Sequence, residues 1–293
     1  MEFLAYLING ISLGSIYAII ALGYTMVYGI ARMLNFAHGD IIMIGGYVAF
    51  LAFTSLNLST ILSIILSVVV CAILGVTIER LAYKPLRQAT SLSVLITAIG
   101  VSYFLQNSAQ LIFGAENKMF PNMLPKGNIS LFNGELAISY STIITIVTCI
   151  VVMVCLTLFV QKTKTGKAMR ACSEDKGAAS LMGININKTI SLTFAIGSGL
   201  AAIASVLLCV TYPSLSPSLG SMPGIKAFTA AVFGGIGSIP GAFIGGLLLG
   251  IIENLTKAYI STQLSDAIVF GVLIIVLLIK PTGLLGKKRR EKV

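Results

Sequence analysis

The chain has 293 residues, of which 56% are hydrophobic and only 10% are charged. A water-soluble domain carries about 25% charged residues, so this much apolar side chain cannot be hidden inside a soluble particle of this size, and lipid has to cover part of it. The net charge of +10 is not a nucleic-acid footprint, because the basic residues fall in short clusters beside apolar runs without an aromatic–basic face, and that placement is a topology signal.

A spanning helix needs about 20 mostly apolar residues and must pair its backbone polar groups internally. Residues 3–31 form the first uncharged run. No basic region precedes it, so it reads as a span and not as a cleaved leader. Residues 41–78, interrupted at Asn57, Ser59 and Thr60, read as spans two and three joined by a tight turn. Residues 88–115 give a fourth span and 136–161 a fifth. The polar stretch 161–188 has helix-forming composition, with Gly183 placed to end a short helix. A sixth span follows, ending near Tyr212, and then a loop with Pro213, Pro217 and Pro223. Residues 227–252 carry Gly234, Gly235, Gly237, Pro240 and Gly241 in their middle, which a continuous helix tolerates badly. A last span covers 264–279 before a tail with Lys287, Lys288, Arg289, Arg290 and Lys292. The fold expected is all-α, a polytopic transmembrane helical bundle of about eight spans plus a broken or re-entrant Gly/Pro segment, forming one domain over residues 1–293.

Apart from Lys118, Lys126, Lys226 and Lys257, the basic residues lie beside alternate span ends, with the 161–188 stretch and the tail on one side. Lys and Arg are retained in the cytoplasm, so the N-terminus and the loop 114–135 are expected outside and the C-terminus inside. Parity then requires the Gly/Pro segment either to re-enter and leave on one face or to cross twice as a broken hairpin. Such backbone is tolerated only where protein or a water-filled path covers it. Gly235, Gly237, Pro240 and Gly241 are therefore candidate translocation-path residues, together with His38 and Asp40, since ionisable groups near lipid are costly and often functional. The plainer reading of His38 and Asp40 is interfacial, with span two starting at Ile41. Lys226 is expected to snorkel, and Asp266 suits the first turn of the last span. His38–Asp40 before Gly45–Gly46 weakly echoes Pro240–Gly241 before Gly245–Gly246, as in an inverted repeat.

Enzyme and metal readings find no support. There is one histidine, no HExxH and no carboxylate cluster. Cys71, Cys149, Cys155, Cys172 and Cys209 form no CxxC pair and read as small packing residues. Gly166-Lys167 is not a Walker A motif, because Gln161 stands where its first glycine belongs.

Three stretches resemble branched-chain amino-acid importer permeases of the LivH type: residues 13–18 with Met33-Leu34-Asn35-Phe36-Ala37-His38-Gly39, residues 226–241, and the ending Pro281-Thr282-Gly283-Leu284-Leu285-Gly286. The resemblance covers essentially the whole chain. It implies a permease subunit of an ATP-binding-cassette importer for leucine, isoleucine and valine in the bacterial cytoplasmic membrane. It further implies that 161–188 is the ATPase-coupling loop, with Arg170, Glu174, Asp175, Ala178, Ala179 and Gly183 as its residues. Gly177 stands where the family's coupling motif has Glu, and the closing Leu-Pro is absent. The partners implied are a second, homologous permease, two ATPase subunits, an extracytoplasmic solute-binding protein and membrane lipid. Nucleic acid is not among them, and ATP is bound by the partner subunits, so this chain carries no cofactor of its own. The rival readings are a related permease for urea, amides or other amino acids, and, from another class, a secondary transporter or channel.

Overall fold

The computed structural model describes residues 2–125, 127–131 and 136–286. Lys126, residues 132–135 and the basic tail from Lys287 onward, all used in the orientation reading, lie outside the described residues. Among those described, the helices are α1 (Glu2–Ala31), α2 (His38–Thr54), α3 (Thr60–Ile78), α4 (Ser91–Phe113), α5 (Tyr140–Lys162), α6 (Lys164–Glu174), α7 (Lys176–Leu181), α8 (Ile186–Thr211), α9 (Ser221–Gly234), α10 (Ile239–Tyr259) and α11 (Ser265–Ile279). Six are long and apolar enough to cross a membrane: α1, α3 with its extension to Leu86, α4, α5, α8 and α10. The shorter apolar helices α2 and α11 make eight, and α9 with α10 forms the broken Gly/Pro segment.

Several boundaries differ from the sequence reading. Residues 136–139 (β3) are not helical, because they pair antiparallel with 128–131 (β2), Asn128 opposite Ser139. Likewise α3 does not stop at Ile78. It runs on through a π-turn over Glu79–Tyr83 and a 3-10 turn over Lys84–Leu86, where Pro85 lacks the N–H that would continue the helix. A two-residue pairing of Lys118–Met119 (β1) with Ser214–Leu215 (β4) ties the 114–139 loop to the segment after α8.

The interior is built on small residues. On α1, Gly10 and Gly14 lie against Gly250, Ile251 and Leu247 of α10, and a Cβ on Gly250 would run into the backbone of Gly14. On α3, Gly75 lies against Ser198 and the Phe194 carbonyl of α8, and Gly45 of α2 against Ala202. Gly23 of α1 meets Gly197 of α8 where the two central helices cross. In lipid no hydrophobic force presses helices together, so close backbone approach at small residues supplies the attraction.

These contacts follow a pattern. α1 packs on α10 as α8 packs on α3, α1 on α9 as α8 on α2, α2 on α3 as α9 on α10, and α2 on α4 as α9 on α11. Exchanging α1–α4 with α8–α11 maps the packing onto itself. The two sets run in opposite directions, because α1 ends at the face that carries α6 and α7, where Lys176 donates to the Ala31 carbonyl, and α8 starts from that face. The chain is thus an inverted repeat linked by α5–α7. The repeat is real but the sequence echo was misaligned: it matched α2 with α10, whereas the structure relates α2 to α9 and α3 to α10. The Gly-Gly pairs are packing features of two different helix types.

Two helices begin inside the bundle. The His38 ring at the start of α2 lies against Gly23, eight residues before α1 ends, or about 12 Å along that helix. Residues 32–37 double back to reach it from Arg32, whose φ is +57°. Gly39 in turn touches Gly220 and Gly224 at the start of α9, so the first turns of α2 and α9 face one another. At the far end of α9, Leu284 and Leu285 donate to the Phe233 and Gly234 carbonyls, both at 2.9 Å. Gly237 sits by Gly29 near the end of α1. The parity requirement is therefore met by a broken hairpin, with residues 280–286 on the same face as α6 and α7.

Gly250→Ala should destabilise the bundle by about 1–3 kcal/mol through overpacking, read as a lower unfolding midpoint in detergent. Gly100→Ala, at a site with open space around its Cβ position, should leave the midpoint unchanged or raise it.

Candidate translocation and coupling sites

The loop expected to couple to an ATPase is two short helices, α6 and α7, locked to the bundle. Thr163 caps α6 by accepting from Gly166 N at 2.9 Å, and Asp175 caps α7 by accepting from Ala178 N at 3.0 Å. Asp175 thus has a structural task in this loop. Met169 and Cys172 bury one face of α6, and Ala179 the corresponding face of α7. Arg32 donates to the Ser173 carbonyl at 2.8 Å and the Glu174 carbonyl at 3.2 Å. Lys176 Nζ reaches the Ala31 carbonyl at 2.9 Å. Burial, and then the charges of Arg32 and Arg87, push the Lys176 ammonium below its usual range. Arg170 donates to the Gln161 carbonyl at 3.4 Å. Gly183 has φ +79° and ends α7, as its position predicts. Ala178 and Gly183 are exposed, and so are Leu181 (89%) and Met182 (82%), an apolar tip on an otherwise polar loop. The sequence reading missed that tip, although two large apolar residues just before the terminating glycine marked it. It also missed Glu79, which is fully buried, pairs with Arg87 and accepts from Ser191 Oγ at 2.6 Å, binding the α3–α4 connection to the start of α8.

His38 and Asp40 are not interfacial. They are 1% and 3% exposed, because α2 begins three residues earlier than expected and does so within the bundle. The His38 ring packs edge-on against Tyr24 with centroids 4.5 Å apart. Asp40 borders a cavity of about 340 Å³ between α2, α4 and α9 and accepts from Gln106 Nε2 at 2.8 Å. Gln106 also faces Ser102 at 3.3 Å and Ser221 at 3.5 Å. Nothing in the sequence marked these partners, which lie 66 and 115 residues apart along the chain.

The Gly/Pro residues sit elsewhere. Gly235 and Gly237, with φ of +105° and +95°, make the turn between α9 and α10. Ser238 caps α10 by accepting from Gly241 N at 3.2 Å, and Pro240 lies in that helix's first turn. Proline is at home there, since a first-turn N–H has no intrahelical acceptor. Pro240 therefore starts a helix and does not break one midway; the interior break falls instead at residues 212–220, before α9. His38 and Asp40 lie by the start of α9 and Gly235–Gly241 by its end, so the six candidates do not form a single site.

Lys226 does not snorkel. It is 7% exposed and pairs with Glu253 at 2.8 Å and Asp266 at 2.6 Å, while Glu253 also takes Lys257 and the Tyr17 hydroxyl, the latter at 2.9 Å. This cluster joins α9, α10 and α11 beside a second cavity of about 230 Å³.

With this architecture in view, the comparison with known proteins is direct. The family described as branched-chain amino acid transport system / permease component matches residues 6–277. The chain belongs to that family. It is 49% identical to the high-affinity branched-chain amino acid transport system permease protein BraD of Pseudomonas aeruginosa, covering 100% of this chain and 98% of the relative. To the LivH permease protein of Escherichia coli K12 the identity is 46%, with the same coverage. A more distant relative is the fructose import permease protein FruG of Bifidobacterium longum, 23% identical over 87% of this chain and 78% of the relative.

Lys226→Met should destabilise the protein, by less than the roughly 3–5 kcal/mol of a fully broken buried pair because Lys257 still faces Glu253. Adding Glu253→Gln should recover part of the loss. Thermal unfolding of the two single variants and the double one measures this non-additivity.

Proposed function

We propose that this chain is the permease subunit of an ATP-binding-cassette importer carrying leucine, isoleucine and valine across the bacterial cytoplasmic membrane. The observation that carries the reading is full-length identity of 49% and 46% to permease proteins of high-affinity branched-chain amino acid systems. The 23% shared with a fructose permease favours this substrate class over others served by related chains. A second, homologous permease would complete the path, a solute-binding protein would deliver the amino acid, and two ATPase subunits would bind and hydrolyse ATP. The chain itself is neither an enzyme nor a nucleotide binder in this reading.

The geometry supports a mechanism for coupling. The exposed tip at Leu181 and Met182 is the surface we assign to the ATPase. Movement of α6 and α7 is passed through the Arg32 and Lys176 contacts to the end of α1 and to residues 32–37. That segment leads straight into α2, and Asn35 within it accepts from Tyr83 at 2.9 Å. A rigid lever of this kind can shift packed helices between two arrangements. The α6–α7 face is assigned to the cytoplasm from the basic residues around it, which puts the N-terminus outside.

Purified with its native partners, the complex should show ATP hydrolysis stimulated by leucine-loaded binding protein and not by urea. Solute accumulation by this chain alone, without nucleotide, would overturn the reading. Leu181→Asp with Met182→Asp should lower ATPase co-purification at least about tenfold, the order expected for losing an apolar hot spot, with membrane insertion unchanged. Asn128→Cys, in a Cys155→Ser background, should react with an impermeant thiol reagent added to intact cells. Reaction only after lysis would reverse the orientation.

A further inference from the structure

We propose that the cleft between α2, α4 and α9 is a recognition site for a free α-amino acid, in which the Asp40 carboxylate receives the substrate's ammonium group. The inference rests on the importer reading above and names a substrate-contacting residue within it.

The argument begins with charge. Three carboxylates are deeply buried among the described residues: Glu79, Glu253 and Asp40. Glu79 faces Arg87, and Glu253 faces Lys226 and Lys257. Asp40 alone of the three has no cation within ion-pair distance among the described residues; its partner is the neutral Gln106 amide at 2.8 Å. A buried carboxylate without a counter-ion is expensive, and the start of α2 offsets only part of that cost through its dipole. This carboxylate also borders a cavity of about 340 Å³, large enough for a visiting cation to complete the pair. Because Gln106 uses its Nε2 on Asp40, its amide oxygen is left to accept a second N–H from the same ammonium.

The rest of the cleft suits the remainder of an α-amino acid. Phe36, Leu95, Ile99 and Ile225 form an apolar wall, which fits an aliphatic side chain. The hydroxyls of Ser102 and Ser221 stand at the Gln106 end. The α9 N-terminus opens on the cleft at Ser221, and its dipole favours negative charge there, with the Ser221 and Gly224 N–H groups already donating to the Ser218 and Gly220 carbonyls. The Ser102 and Ser221 hydroxyls provide donors for a carboxylate, and the positive end of α9 favours it there. A neutral solute such as urea would leave Asp40 unpaired, and rejection of ligands that leave a buried polar group unmatched is strong.

The test uses the complete transporter, reconstituted with its native partners and assayed for ATP-driven uptake of radiolabelled leucine. Asp40→Asn should lower uptake about 10- to 100-fold, the loss expected of one charge-assisted hydrogen bond, and Asp40→Glu should restore part of it. In a Cys155→Ser background, leucine should slow alkylation of Ile99→Cys, whereas 4-methylpentanoate, which has the same carbon skeleton without the amine, should not. Asp40→Asn should abolish the protection. Wild-type uptake by Asp40→Asn, equal protection by 4-methylpentanoate, or no alkylation in any nucleotide state would each overturn the site. If Asp40→Asn fails to assemble, Ile225→Trp fills the cleft while keeping the carboxylate; uptake should fall, and unchanged uptake overturns the proposal. Protection by some other α-amino acid, with no leucine import by the wild-type complex, would overturn the branched-chain reading and leave the site standing.

Discussion

A helix that starts inside a bundle must satisfy its first-turn N–H groups without water, and this protein contains two such starts. Local carbonyls take most of them: His38 donates to Asn35, Asp40 and Ile41 to Ala37, Ser221 to Ser218 and Gly224 to Gly220, and Pro223 carries no N–H. The two starts also cover one another, Gly39 against Gly220 and Gly224. That contact requires glycine on both sides, since a Cβ on Gly39 or Gly220 would collide with the other's backbone. The same juxtaposition directs two positive helix ends toward one small volume. Packing necessity and anion-attracting geometry therefore have a common origin, and the polar cleft at Asp40 and Gln106 lies where they meet.

The central helices explain how such a core holds together. α1 and α8 are buried along most of their length, yet neither has a polar stripe to guide it. Their order comes from glycine and alanine positions that fix how near each neighbour can come. Close approach also brings peptide groups of neighbouring helices near one another. α4 stands outside that packing, with Leu92, Ile96, Phe104, Leu111 and Ile112 all more than half exposed; that face is left to lipid or to a neighbouring chain.

Much of this was legible in the residues. Uncharged runs located the long helices to within a few positions, because lipid enforces length and composition together. Gly183 was correctly read as a terminator. The alternation of basic clusters required the Gly/Pro segment either to re-enter and leave on one face or to cross twice, and α9 with α10 take the second form. What was not legible depended on depth. His38 and Asp40 looked interfacial because they follow Arg32 closely, and nothing local reveals that residues 32–37 turn back into the bundle. Pro240 looked like a helix breaker because the same residue type marks both the middle of a kinked helix and the first turn of a new one. Lys226 looked like a snorkelling residue because its partners, Glu253 and Asp266, are 27 and 40 positions away. Contacts of that separation leave no periodic trace.

The two halves share a packing plan but not a chemistry, and the difference bears on which half moves. In α8–α11, α9 is tied to α10 and α11 by Lys226, Glu253 and Asp266, a charged cluster that is costly to open once buried. In α1–α4 the equivalent ties are neutral or singly charged: Ser67 donates to the Gly45 carbonyl at 2.7 Å, and Gln106 donates to Asp40 at 2.8 Å. Hydrogen bonds of this type contribute about 0.5–1.5 kcal/mol net, or 1.5–3 when one partner is charged, so α2 can shift relative to its neighbours at a far smaller cost than α9. Both halves meet α6 and α7, the first through Arg32 and the Ala31 carbonyl and the second through the start of α8, so the difference between them lies in these ties.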